Sequence, residues 1–304
     1  MNTPLDNLPP GAPSKGVEIG TVAGASLKIN STLLFATVVA ALGGLLFGFD
    51  TIVISGCQNQ LKALFHLDSF WQGFMTASAI VGTVIGALVA ARPGDIYGRR
   101  DTLKVAGALY FVCALGCALA WGFWSLIAFR IIGGIAVGAS SVLGPLYLAE
   151  ISPAQWRGRL VAFFQFNIVL GVLLAFVSNF GLGTLGFGEA EWRWKLGVQA
   201  LPAAVFFVLL YFIPRSPRWL MMKGAEGEAD KVLRSLGTLN VSAQMVAIRE
   251  SLHQEIRGKE EPLFCRTHAK PIFLAITEAM FNQLDGINSL MYYLNPIFSL
   301  AGFT

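Results

Sequence analysis

Apolar and polar positions alternate in long blocks along this chain. Apolar runs of about twenty residues, the length a spanning helix needs, recur at roughly 33–55, 70–91, 102–122, 124–148, 160–180, 195–213 and 271–300. Short polar connections part most of them, and one long polar segment, 214 to 270, separates the sixth from the seventh. Inside it, "AEGEADKVLRSLG" and "AIRESLHQEIRGKEE" set apolar residues at helical spacing among mixed charges, which predicts two short amphipathic helices. The pattern therefore predicts seven membrane helices and one polar linker.

Composition supports lipid as part of the solvent: 55% of residues are hydrophobic, 13% are charged and mean hydropathy is +0.62. Thirty-three glycines fit closely packed membrane helices. Cys57, Cys113, Cys117 and Cys265 show no metal-ligand spacing, and Cys113 with Cys117, one helical turn apart in an apolar run, reads as a pair of small core residues. No nucleophile with a base and no metal cluster stands out, so the chain does not read as an enzyme; no cofactor and no nucleic-acid partner is expected. His253 and His268 read as ordinary surface residues of the linker. The first 32 residues, with Pro9, Pro10, Gly11, Pro13 and Lys15, lack the order of a cleaved signal peptide and predict a flexible cytoplasmic tail.

Basic residues set the expected orientation. With seven crossings, 18 of the 22 Lys and Arg fall on the side of the tail and linker, ten of them between Arg215 and Lys270. Lys62, Arg193 and Lys195 fall on the other side, and Arg130 lies inside a helix. The expectation is a multi-pass protein of the plasma, or cell inner, membrane with its amino terminus in the cytoplasm.

Two charges sit where lipid penalises them. Asp50 lies 17 residues beyond Leu33 in the rising first helix, and Arg130 lies 20 residues before Glu150 in the descending fourth. At 1.5 Å per residue these are depths of roughly 25 and 30 Å, so both charges occupy the outer half of the membrane. Glycine pairs that allow close packing, Gly44 with Gly48 and Gly134 with Gly138, accompany them. Lipid burial favours the neutral acid and a nearby guanidinium favours the carboxylate, so such a pair suits proton exchange; a pin between two helices is the alternative.

From about Leu33 to its last residue the chain resembles the sugar porters of the major facilitator superfamily. "GDIYGRRDTL" is similar to that superfamily's loop motif, and "FRIIGGIAVGASSVLGPLYLAEISPAQWRGRL" to the signature of the fourth and fifth helices. "PRSPRWLMMKG" resembles the motif after the sixth helix, and "FNQLDGINSLMYY" the sugar-binding motif of the seventh. The implied fold is all-α: an amino-terminal six-helix transmembrane bundle at 33–213, a cytoplasmic helical linker at 214–270, and a seventh helix at 271–304 that begins a second bundle.

The resemblance also implies roles. Asp50 and Arg130 match the proton-coupling pair of the family's symporters, whose facilitators lack the acid. Asp95, Gly98, Arg99 and Arg100, with Glu150, Arg157 and Arg159, match a cytoplasmic charge cluster that latches the outward-open state. Gln165, Gln283 and Asn288 match sugar-contacting positions, and their amides both donate and accept, as hydroxyl recognition requires. Asn282 stands where glutamine is frequent, and Tyr292 with Tyr293 would close the site from outside. The expected partners are a monosaccharide, a proton and the lipid bilayer.

Three departures from the family pattern stand out. Ile96 and Arg215 replace a basic and an acidic residue respectively, which predicts a weaker cytoplasmic network. Asp285 replaces a small hydroxyl residue, and Glu278, Asn282, Asp285, Ser289 and Tyr292 share one helical face. A second ionisable site at Glu278 and Asp285 is one reading of that face; pairing of Asp285 with a further part of the protein is the other. The chain stops after the seventh helix of a twelve-helix fold, which predicts a fragment, an inactive truncated product, or a part that assembles with the missing carboxy-terminal half or another chain. A sugar sensor, an interaction protein and a proton-independent facilitator are the rival functions.

Overall fold

The computed structural model describes residues 30–258, 268–294 and 297. The predicted tail and the end of the seventh span lie outside them.

Helix α1 (Ser31–Val53) starts at Asn30, whose side chain accepts the Thr32 N–H, and runs through a single 3-10 turn, Ile54–Cys57, into α2 (Gln58–Leu64). Helix α3 (Ser69–Tyr97) starts at Asp68, which accepts the Trp71 N–H, and α4 (Arg99–Ala118) follows after the single residue Gly98. Helices α5 (Phe123–Ile151) and α6 (Arg157–Thr184) complete, among the described residues, five helices long and apolar enough to cross a membrane.

The expected sixth span, 195–213, is instead two pieces, α7 (Glu191–Gly197) and α8 (Ala200–Leu209). Pro202 supplies the reason: it has no N–H to give Val198, and its ring crowds the carbonyl four residues back. The expected seventh span is also broken, into α12 (Ala269–Leu284) and α13 (Ile287–Tyr292). Gly286 takes φ +74° at the break, and the Asp285 carboxylate accepts the Ile287 N–H at 3.0 Å, a local bond that replaces helix continuation.

Both amphipathic helices expected in the linker are present, α10 (Glu226–Ser235) and α11 (Val241–Gly258), preceded by α9 (Pro217–Met222). Ser216 accepts the Trp219 N–H, and Pro217 takes the first helical position, where its missing N–H costs nothing. Trp219, Leu220, Ala229 and Ile248 form the linker's own small core. On its exposed face, Arg234 grips Asp230 through two bonds of 2.7 and 3.1 Å and holds that carboxyl below its ordinary range.

In the bundle, α1 packs on α6, α3 on α5, and α4 on both α5 and α8. The glycine pairs explain the closeness. A side chain at Gly48 would run into the Ile168 carbonyl of α6, and one at Gly134 into the Ala79 carbonyl of α3. Each pair therefore joins its helix to a different neighbour, α1 to α6 and α5 to α3. Two apolar cores result, one around Leu46, Tyr110 and Tyr147, the other around Phe49, Ile52 and Trp192.

Candidate functional site

Two clusters of charge stand at different levels of the bundle, and each gathers residues far apart in sequence. The first surrounds Asp50. Its side chain is buried in α1 at 4% exposure, and Arg130 of α5 is buried at 1%. Gly133, one turn after Arg130, leaves the gap that Asp50 faces: a β-carbon built there would lie 3.9 Å from Oδ1 of Asp50 and would collide with the sulfur of Cys113. The two charges are within electrostatic reach, yet no ion pair of 4 Å or less joins them among the described residues. The Arg130 Nε and Nη2 atoms have no hydrogen-bond partner there. A buried guanidinium with unused donors near a buried acidic side chain is an arrangement that is costly to leave unpaired.

Tyr292, on α13, lodges in the same apolar core and lies within electrostatic reach of both charges. Cys113 and Cys117 bring their sulfurs to 3.9 Å, and with Cys57 they are free and buried, as the small-residue reading expects. Cys265 is outside the described residues.

Among the expected sugar contacts, Gln165 is exposed on α6, and Gln283 is exposed in the last turn of α12. Tyr293 is half-buried, its hydroxyl 3.7 Å from a β-carbon built on Gly73. The side chains of Asn282 and Asn288 lie outside what the structure describes. Glu278 and Asp285 are both exposed, and Asp285 caps α13, a role the stripe reading did not contain.

The second cluster lies at the α3–α4 junction. The motif read as a loop is almost wholly helical: Asp95 sits in the last turn of α3, Arg99 opens α4, and only Gly98 stands between them. Gly98 takes φ +97°, and a β-carbon there would press on the Trp219 ring at 3.1 Å. Both conditions require glycine. Arg99, 7% exposed, holds three partners: Asp95 at 2.9 Å, the Gly94 carbonyl at 3.0 Å and Glu150 at 3.0 Å. The last is an ion pair by distance, its N–H not aimed along the contact.

Arg100 turns away, to Asp101 and to the Ile213 carbonyl at 3.1 Å. Arg157 joins Asp95, Arg99, Glu150 and the linker residues Arg218 and Gln244 around a cavity of about 400 Å³. Arg159 instead lies over the Trp156 ring at 4.9 Å. Sequence reasoning missed two members. Asp101 receives Arg100, Lys104 and Arg215, so Arg215 strengthens the network it was expected to weaken. Trp219 donates its indole N–H to the Asp95 carbonyl at 3.1 Å and fastens the linker to the junction. The sequence places Trp219 inside the motif that follows the sixth helix, which does not name its partner.

Residues 36–304 match the family model described as "Sugar (and other) transporter". The chain is 38% identical over 272 residues to a D-xylose transporter of Levilactobacillus brevis, covering 88% of this chain and 59% of that protein. It is 36% identical over 310 residues to the D-xylose-proton symporter of Escherichia coli strain K12, covering 90% and 62%. The partially occluded, inward-open structure of the xylose transporter XylE from E. coli superposes with a TM-score of 0.78 at 34% identity, over 86% of this chain and 66% of that one. The chain thus spans about three fifths of the length of the curated relatives it matches. The chain belongs to the sugar transporter family of the major facilitator superfamily, and it corresponds to the amino-terminal part of its relatives.

Proposed function

We propose that this chain carries the proton-coupling half of a sugar–proton symporter that works by alternating access. The observation that supports this most is Asp50: a carboxylate buried in α1, beside a buried Arg130 with unused donors. A helix pin would join the two directly. In the proposed cycle, protonation of Asp50 removes the negative charge that Arg130 faces, and the guanidinium turns to other acceptors. That change in a low-dielectric interior alters which packing of α1 on α5 is favoured.

Gln165, Gln283, Asn282 and Asn288 supply amides for a monosaccharide, with Tyr292 and Tyr293 closing it from outside. The Arg99–Asp95–Glu150 cluster and the Trp219 fastening latch the cytoplasmic end, and the amino terminus lies on that side. A second bundle, in a longer protein or another chain, provides the remaining walls of the cage and the body against which this one rocks.

Uptake of labelled pentoses and hexoses into proteoliposomes containing the chain, with Asp50→Asn alongside, tests the reading. Saturable uptake driven by a pH gradient and lost in Asp50→Asn supports it. Uptake indifferent to both pH gradient and mutation makes the protein a facilitator. Absence of uptake by correctly inserted chain, persisting when the second bundle of a relative is co-expressed, overturns the transport reading.

A further inference from the structure

Away from both charge clusters, at the end of the bundle opposite the α3–α4 junction, α4, α6 and α7 enclose an apolar groove of about 460 Å³. Leu115 and Leu119 line it from the end of α4, Leu182 from α6, and Trp194 and Val198 from α7 and the break that follows it. The helices touch through small residues, since a β-carbon built on Gly197 would lie 3.0 Å from that of Ala118. The larger side chains around that contact leave the hollow.

One charged residue lines the groove, Arg193. Its Nη1 donates at 2.8 Å to the carbonyl of Ala118, the last residue of α4, which the helix leaves without an N–H of its own. Its guanidinium also lies 4.4 Å from the centre of the Trp192 ring. These contacts fix the head without neutralising it. Among the described residues Arg193 makes no ion pair: Glu191 is taken by Lys195, and Glu189 lines a different cavity, beside Gln60. The rest of the planar fork is left for an anion, and two oxygens of a phosphate match it.

The level of Arg193 selects the source of that anion. Ala118 ends one helix long and apolar enough to span a membrane and Thr184 ends another, so the guanidinium stands at head-group height. Trp194, exposed and stacked on Phe187 at 5.4 Å between ring centres, is an aromatic residue of the kind that favours that height. From there the groove runs back along α4 to Leu115, one turn into the span. An acyl chain gains little by leaving bulk lipid for an apolar groove, because lipid is already as apolar as leucine. Selectivity must therefore come from the charge. We propose that the groove is a phospholipid site, with the phosphate on Arg193 and one acyl chain lying along α4 between α6 and α7. A lipid so held bridges three helices beside the break at 198–199, where the sixth span has no continuous ladder of its own. The site stands whether or not the symporter reading does.

Native mass spectrometry of the whole chain, released from an uncharged detergent after titration with one lipid at a time, tests the site without any transport assay. Phosphatidylglycerol is expected to stay on the chain at one per molecule, and diacylglycerol with the same two tails is expected to be lost. Arg193→Gln is expected to weaken retention of phosphatidylglycerol about tenfold, the loss of one charge-assisted contact, and Arg193→Lys by less, because it keeps the charge and gives up the fork. Should the glutamine variant fail to fold, Leu119→Glu replaces it; it sets an acid on an exposed wall of the groove, and the same weakening is expected. Equal retention of diacylglycerol and phosphatidylglycerol overturns the proposal, since any tail would then fill the groove. Retention of phosphatidylglycerol unchanged by both Arg193→Gln and Leu119→Glu overturns it as well. So does glycerol phosphate binding as tightly as the lipid, because the anion would then need no tail.

Discussion

A few side chains at Arg99, Trp219 and Asp50 carry most of what distinguishes this protein from a generic bundle of apolar helices. Arg99 is buried with Asp95, Glu150 and the Gly94 carbonyl as its partners. Truncation to alanine strands the buried Glu150 carboxylate, and the expected loss is about 3–5 kcal/mol of stability, read by denaturation in mixed micelles. Arg99→Lys keeps the charge but loses the planar fork and is expected to fall between the two. Stability unchanged by Arg99→Ala would mean that the cluster is solvated. Asp50→Asn removes a charge and keeps the shape, so the chain is expected to fold normally and to lose accumulation driven by the pH gradient, while exchange of sugar across the membrane persists. The acidic identity of position 50 was legible from sequence, since an isolated carboxylate in an apolar run demands a reason. The gap opposite it, made by Gly133, was not, because it depends on how α1 and α5 face each other.

Among the elements, close crossings come from glycine and breaks come from glycine and proline. Gly134→Val forces a side chain into the Ala79 carbonyl of α3 and is expected to cost about 1–3 kcal/mol, by separating α3 from α5. Gly181 offers the contrast, because a β-carbon there meets nothing within 4 Å. Gly181→Ala is expected to be neutral or to stabilise α6 by about 0.5–1 kcal/mol. Equal effects of the two substitutions on thermal unfolding would remove the packing explanation. Hydrophobic runs gave the five long helices with boundaries off by a few residues at most ends. α3, for example, extends through Pro93 to Tyr97, well past the expected end near 91. They did not give the interruptions at 198–199 and at Gly286, since a run of apolar residues looks the same whether its hydrogen-bond ladder is whole or broken.

For the whole molecule, the linker is a clamp as well as a connection. Trp219 packs on Gly98 and bonds Asp95, Arg215 pairs with Asp101, and Asn30 at the start of α1 bonds the Ser235 carbonyl of α10 at 2.7 Å. Trp219→Ala empties the centre of that clamp, at an expected cost of about 3–5 kcal/mol to the packing of α9 through α11. Limited proteolysis of the variant is expected to cut within 223–258 many times faster than in the parent chain. Applied to sealed vesicles, the same protease reads orientation, and cleavage only from the cytoplasmic face is the expected result given where the basic residues lie. Cleavage from the opposite face would invert the topology.

The sequence alone determined the solvent, the class and the family: long apolar runs must be spanned by helices whose backbone bonds are satisfied internally, and charge counts follow the membrane's sidedness. It also marked Asp50 and Arg130, polar groups where polarity is expensive, and the junction motif by its resemblance to that of the superfamily. Only the tertiary structure decided which helix each glycine pair approaches, that Arg215 reaches the junction through Asp101, that Trp219 locks the linker to it, and that Gln58 at the start of α2 donates to the Tyr292 carbonyl. The physical reason is the same in every case: a hydrogen bond or close contact between distant residues depends on the relative rotation and depth of two helices, quantities that no local pattern within either helix encodes.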